Sequence, residues 1–513
     1  MARRSAGRAK SGEDGPRKLL DGQLPWQNPR YFDKPTEPLS ADQIEAIHEA
    51  SLDVVEKIGI RFLNETALDH LERAGCNIDR SDMNVKMDRN WVMEMARHAP
   101  SSFTVTPRNP NHKIILGDGH FHFGQVASPP NILDSETGRR MGTREDFRNF
   151  LHLSQAFNCI HAIVGYPVEP MDLHASVRHL HATRDMLVYT DKVIHGYSLG
   201  MERIEDVIEM TRIAAGLSHA EFDATPRMFT NINSSSPLKH DYPMLDGAMR
   251  LAACKQPVVI TPFTLAGAMA PVTIVGAIVQ QNAEVLAAIA LLQYIHPGTP
   301  VVYGAFTSNV DMKSGAPAFG TPEYIRAMQI SGQMARFYNI PMRTSNANAA
   351  NVPDGQAVWE SAFSLQGSLS GHSNLVYHAA GWLEGGLSAS LEKFVMDCEM
   401  LQQVIYIQQP LEFSPDALGV QAIKDVGPDG HFFGCDHTQR RYKTAFYSPF
   451  LSDWSNYENW EEAGAVWTHD RAATACKRIL DEHQPPEIDP GIKEELEGFV
   501  ARRVEEGGAP TDY

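Results

Sequence analysis

Cysteine is scarce and scattered. The chain holds six in 513 residues, at Cys76, Cys159, Cys254, Cys398, Cys435 and Cys476, with no C-x-x-C pair. That spacing offers no disulfide framework and no zinc knuckle, and it fits reduced thiols in a cytoplasm. A secretory leader is missing as well. The opening MARRSAGRAKSGEDGPRK is basic and rich in small residues but has no apolar run, so residues 1–20 read as a disordered basic arm. Positive charge is in deficit: 45 Lys and Arg against 63 Asp and Glu give a formal −18, which argues against a nucleic-acid partner. Long hydrophobic runs are few. The longest, TIVGAIVQQNAEVLAAIALLQYI, carries Gln280, Gln281, Asn282 and Glu284 in its middle. A bilayer centre penalises those groups heavily, so the run reads as a buried helix and not as a membrane span.

What is present is a rhythm. Residues 21–118 read as mostly helical: SADQIEAIHEASLDVVEKIGIRF starts on a Ser N-cap, and ETALDHLERAGC runs to a glycine stop. From residue 119 short strand-like runs recur: HFHFG, IHAIVGY, KVIHGYS, RMFTNIN, PVVITPF, PVVYGAF, PMRTSN and NLVYHAA. Helix-length segments separate them, with start signals such as the capping-box pair Thr143 and Asp146 and the N-cap Thr321 before Pro322. Eight strands alternating with helices over 119–405 match a (β/α)8 TIM barrel. No G-x-G-x-x-G follows the early strands, which disfavours a doubly wound open sheet. Beyond 405 the rhythm stops, and Pro/Gly-rich turns, aromatics and two helices form a C-terminal extension over 406–513.

Barrel enzymes place their chemistry at the carboxyl ends of the strands. Here those ends carry asparagine, serine, glycine and aromatics, with no Lys suited to a Schiff base and no convincing metal spacing. His431, Cys435 and His437 form a tempting trio, but they lie in the extension and lack a fourth ligand. Arg139 and Arg140 follow Asp134 in a turn and read as an anion site or as solvated turn charges. Tyr303, Phe306, Trp359, Phe363, Tyr377 and Trp382 fall on or after the last three strands. Two readings stand at this point: ordinary packing, or a box of aromatic faces for a quaternary ammonium, each good contact contributing about 0.5–2 kcal/mol when desolvated.

The segments HFG…LDSETGRR…T..DF, YGAFTSNVDMKSGAPAFGTPE and NVPDGQAVWES, in this order in an eight-unit barrel, resemble the trimethylamine methyltransferase superfamily from about residue 40 to about residue 480. The resemblance implies a cytoplasmic barrel that moves a methyl group from an amine to the Co(I) of a corrinoid (cob(I)alamin) held by a separate small protein, binds no metal itself, and self-associates. The archaeal trimethylamine branch carries pyrrolysine in the segment that VPDGQAVWE resembles, and Gly355 stands at the matching place. A quaternary amine needs no such electrophile, because it already bears its charge and leaves as a neutral tertiary amine. The resemblance therefore implies a quaternary substrate, glycine betaine first, with no protein nucleophile. Tyr303, Phe306, Trp359, Tyr377 and Trp382 are the cage candidates. Asn346, Asn348, His378 and the amides at the Asp354–Gln356 helix start are candidate donors to a carboxylate, and Gly355 makes room. Carnitine, proline betaine and trimethylamine are alternative substrates. A sensor of methylated amines and a barrel aldolase or hydrolase are the rival classes.

Overall fold

The computed structural model describes residues 22–511, so the arm expected over 1–20 lies outside it. Each of the eight strand-like runs contains one parallel strand: β1 (His122–Phe123), β2 (Ala162–Ile163), β3 (Val193–Ile194), β4 (Thr230–Ile232), β5 (Val258–Ile260), β6 (Val301–Gly304), β7 (Met342–Ser345) and β8 (Leu375–Tyr377). Six of them form one parallel sheet in the order β4-β5-β6-β7-β8-β1, and β2 pairs with β3. The two sheets meet only through single bridge pairs, Gly124 with Ala162 and His195 with Phe229. Regular pairing therefore makes a parallel half-barrel, and the expected closed eight-stranded barrel is met in part. Side chains replace ladder bonds at both seams. His161 Nδ1 accepts from the Phe123 amide at 3.0 Å, Gln125 Oε1 from Val164 at 3.0 Å, and His195 Nε2 from Asn231 at 2.9 Å.

Strand alternation sorts two cores. Val164, Val193, Phe229, Val259, Val302, Leu375 and Tyr377 pack with one another inside the ring. Their neighbours Ile163, Ile194, Ile260, Val301, Tyr303, Met342 and Val376 join the larger core beneath the helices. Helices follow the strands: α1 (Arg144–Ala156), α2 (Ala175–Tyr189), α3 (Met201–Ala214), α4 (Tyr242–Ala253), α5 (Ile274–Ile295), α6 (Pro322–Phe337), α7 (Gly355–Ser370) and α8 (Leu391–Ile407). The Thr143–Asp146 capping box and the Thr321 cap both form. Among the described residues α5 alone is long and apolar enough to cross a membrane, but 78% of its apolar window is buried within the fold. Its polar groups are engaged there, Gln281 with Ser331 and Thr307, and Asn282 with Tyr338.

Two expectations need correction. The segment 22–118 is mixed, with helices Ala41–Asp53, Glu65–Arg73 and Arg89–Ala96 joined by five short strands. Strand Ile60–Phe62 pairs with Asn84–Lys86 because Gly59, at φ 90, turns the chain sharply after the first helix. Among its described residues the extension carries five helices instead of two, three of them with seven residues or fewer. Helices that short leave no periodic stripe to recognise in sequence.

Candidate active site

A cavity of about 410 Å³ opens at the carboxyl ends of the parallel strands. Every strand contributes: Ala127 and Ser128 beyond β1, Val164 beyond β2, His195 and Tyr197 beyond β3, and Asn231 and Asn233 on and after β4. Phe263 follows β5, Phe306 follows β6, Arg343 lies on β7, and Tyr377 and His378 end β8. None of the lining residues is Lys, Cys, Asp or Glu.

One wall is aromatic. Phe306 lies 5.0 Å from Phe263 and 6.5 Å from Trp382 between ring centroids, the latter nearly perpendicular. His378 sits 4.0 Å from Trp382 and 6.0 Å from Phe306. Its backbone is left-handed, φ 56, an uncommon state for a residue with a side chain and one that clusters at functional sites. Burial, then the charge of Arg343, holds the His378 and His195 imidazoles neutral, His195 down at about 3. The cavity thus offers faces and dipoles, with no anion against which a bound cation would be trapped.

Beside that wall stands Arg343, 3% exposed. Its guanidinium carbon lies 4.0 Å from the centre of the Tyr377 ring and 5.4 Å from Phe306. Among the described residues no carboxylate pairs with it, and its Nε and Nη1 have no hydrogen-bond partner. Burial lowers its pKa to about 10, so it remains a cation at neutral pH. An unpaired buried guanidinium is expensive, several kcal/mol even after relaxation. Strain of this kind concentrates where function requires it. Tyr377 presents its hydroxyl without a partner nearby in the same cavity. Sequence reasoning missed Arg343 although PMRTSN displays it: an arginine in mid-strand, on the inward alternate of an otherwise apolar set.

The expected site residues divide. Phe306, Tyr377, His378 and Trp382 line the cavity. Tyr303 does not: it is on the outward alternate of β6, and its hydroxyl bonds Asn282 and Gln281 of α5. Trp359 and Phe363 lie on the outer stripe of α7, 56% and 47% exposed, and Gly355 is exposed at the start of that helix. The Gln356 and Ala357 amides are already capped by the Asp354 carboxylate, which leaves no anion site there.

Asn346 and Asn348 are buried and do not line the cavity. Asn346 Nδ2 donates to the Ala379 carbonyl at 3.0 Å, and Asn348 Nδ2 to the Trp382 carbonyl at 2.8 Å. In return Trp382 Nε1 donates to the Asn348 carbonyl at 3.1 Å. A buried ion pair backs this arrangement. Lys393 Nζ meets Asp397 and donates to Ser361 Oγ, Asp397 Oδ2 accepts the Gly381 amide at 2.8 Å, and Ser361 Oγ also receives Asn348 Nδ2. Both asparagines are therefore struts for the Trp382 loop and not carboxylate donors.

The other candidates resolve into structure. Arg139 pairs with Glu384, and Arg140 with Asp146, which staples the strand-one turn to its neighbours. His431, Cys435 and His437 do not assemble: His437 Nε2 donates to the Asp416 carbonyl, and Cys435 contacts Thr438. Among the described residues the one tight group of potential metal ligands is Glu45, His48 and Glu49 on the first helix.

The strand-end cavity thus sets aromatic rings and a buried arginine together, with no Lys, Cys, Asp or Glu in its lining. Comparison with known proteins gives the class. The family model described as trimethylamine methyltransferase (MTTB) matches residues 2–508. A glycine betaine methyltransferase of Desulfitobacterium hafniense (strain Y51) is 36% identical over 471 residues, covering 92% of this chain and 98% of its own. The trimethylamine methyltransferase MttB of Desulfitobacterium hafniense (strain DSM 10664 / DCB-2) is 30% identical over 476 residues, covering 91% and 94%. Among solved structures, the Methanosarcina barkeri monomethylamine methyltransferase (MtmB) superposes with a TM-score of 0.51 at 11% identity, over 91% of this chain and 89% of that one. That likeness shows a shared fold. The chain belongs to the trimethylamine methyltransferase family and is an amine methyltransferase.

Proposed function

We propose that this enzyme takes a methyl group from glycine betaine and delivers it to the Co(I) of a corrinoid on a separate protein, in the cytoplasm. The observation that carries the reading is that one cavity holds both kinds of group. Arg343 has no acid partner among the described residues, and Phe306, Trp382 and Phe263 present rings in a lining without a carboxylate. A short zwitterion has both ends. Trimethylamine and other simple cations have only the end that Arg343 repels. The relative at 36% identity supports the same substrate, and the six free cysteines support the compartment. We read the eight strands as one (β/α)8 barrel, completed at its seams by the two single bridges.

The partner's Co(I) supplies the attacking electron pair. The rest falls to this chain. Arg343 takes the carboxylate through charge-assisted hydrogen bonds from its guanidinium, which no carboxylate of the described residues pairs. Phe306 and Trp382 hold the methylated nitrogen and point one methyl carbon outward. As that C–N bond breaks, its electrons stay on nitrogen, so dimethylglycine leaves neutral at the amine and no general acid is required. Carboxylates would favour the charged ground state over a transition state in which that charge fades; ring faces and amide dipoles do so less. Alignment is the main contribution, since well-oriented reactants gain roughly 7–11 kcal/mol over free collision.

The test mixes the enzyme with a corrinoid protein reduced to Co(I) and follows loss of the Co(I) absorbance as each methylated amine is added. Betaine is expected to consume Co(I) and yield dimethylglycine. Turnover of trimethylamine with betaine inert would overturn the proposal, and carnitine or proline betaine winning would change the substrate while keeping the chemistry.

A further inference from the structure

We propose that residues 408–467 form the surface through which two copies of this chain associate, on the side of the fold away from the cavity. The segment has defined local structure, with helices Val420–Val426, Asp436–Arg441 and Tyr457–Glu462. Arg441 staples it internally through Glu412 and Asp416. Yet over these sixty residues only Ala422 and Leu451 are buried. Ordering a residue costs on the order of 1.5 kcal/mol, so two buried side chains fall far short of holding the segment in one conformation. The missing burial must come from another surface.

That surface has to be apolar and large. Phe413, Phe433, Tyr442, Phe446, Trp454, Tyr457 and Trp467 are each more than half exposed, Phe413 at 87% and Phe446 at 82%. Rings bury roughly 150–250 Å² apiece, so these seven offer on the order of 1,000 Å². A stable interface needs about 800 Å² from each partner. Apolar area of this extent on one segment is characteristic of an interface.

Position chooses the occupant. Helix α8 begins beside the cavity loop, where Ser390 bonds Gly381, and runs away from it to Ile407. The next residue, Gln408, accepts the Phe32 amide, and the neighbouring Tyr31 hydroxyl donates to the Ser373 carbonyl just before β8 begins. The segment therefore departs at the amino ends of the strands, opposite the cavity. A corrinoid-bearing protein must reach the cavity and then leave it. A permanent partner that leaves the mouth open meets both demands, and a second copy related by a two-fold axis is always available.

Sedimentation velocity of the full chain at micromolar concentration tests this. The wild type is expected at twice the single-chain mass or an even multiple of it. The variant F413D/F446D is expected at half the wild-type mass, with unchanged far-ultraviolet circular dichroism. Hydrogen exchange of the wild type guards against a variant that merely unfolds: protection of 408–467 should rise with protein concentration. A monomeric wild type, an associated wild type whose protection spares this segment, or protection gained only when a corrinoid protein is added would each overturn the proposal.

Discussion

Removing the Arg343 guanidinium should separate carboxylate recognition from cation recognition. Two of its N–H groups lack acceptors, and the side chain is 3% exposed, so a bound carboxylate would meet them away from water. Hydrogen bonds to charged groups contribute about 1.5–3 kcal/mol each. Replacing Arg343 with Met should therefore, for two such bonds, weaken glycine betaine by about 3–6 kcal/mol, or roughly 150- to 20,000-fold in Kd at 1.4 kcal/mol per decade. R343K keeps the charge but not the fork, and should fall in between. Choline, with the same trimethylammonium and a hydroxyl in place of the carboxylate, should bind R343M no worse than wild type. The ligand-free R343M protein should melt at the same temperature or higher, because an unpaired buried charge is removed. Titration calorimetry and thermal unfolding read both. A betaine Kd within threefold of wild type in R343M would refute the reasoning.

The pH dependence follows from the same group: betaine affinity should hold steady from pH 7 to 9 and fall above about 10, where Arg343 loses its proton. Stability should move differently. His122 and His195 at about 3, and His240 at about 4, are neutral in the fold but bind protons near 6.5 when unfolded. The unfolded state thus gains protons as pH drops below 6.5, and stability should fall by about 4 kcal/mol per pH unit, read as a declining Tm between pH 6.5 and 4.5. Replacing Trp382 with Ala should weaken betaine more than its uncharged isostere 3,3-dimethylbutanoate, by about 0.5–2 kcal/mol of cation–π attraction, in paired calorimetric titrations. W359A should leave betaine affinity within twofold. Replacing Lys393 alone with Met should cost about 3–5 kcal/mol in denaturant unfolding by stranding Asp397; K393M/D397L should restore stability yet raise KM for betaine, because the Gly381 amide and the Ser361–Asn348 strut lose their anchor.

The strands were legible because each apolar run ends in a polar or glycine break, and their order needed nothing more. Apolar runs alone do not say which strand side chains face inward, and that decides which residues reach the cavity. Alternation puts Val302 inside and so Tyr303 outside; it puts Met342 outside and so Arg343 inside. Counting by two from Val259 or Leu375 was the available signal. The α7 error has a different cause. Gly355, Trp359 and Phe363 recur every four residues and do share a stripe, but it is the solvent stripe. The buried stripe is Ala357, Ser361, Ser364, Leu365 and Ser368, small because α7 lies tight on α6: a Cβ on Gly367 would stand 2.9 Å from the Ile325 Cα. A small-residue stripe looks polar in sequence, while the apolar stripe looks like core. His378, Trp382 and Phe306 line the cavity because they follow strands that end there. Gly386 does its part by omission, since a Cβ there would meet the Trp382 ring at 2.6 Å.

On the proposed function, a cavity without Lys, Cys, Asp or Glu in its lining suffices because its substrate brings a permanent charge and a neutral leaving group, and Arg343 selects the zwitterion among such substrates. The direct measurement is Co(I) consumption by wild type and R343M with glycine betaine and with trimethylamine, under one reduced corrinoid protein. Betaine should be consumed by wild type, at least a hundredfold more slowly by R343M at subsaturating concentration, and trimethylamine by neither. Rapid demethylation of trimethylamine by the wild type, or betaine turnover indifferent to the loss of Arg343, would contradict the account.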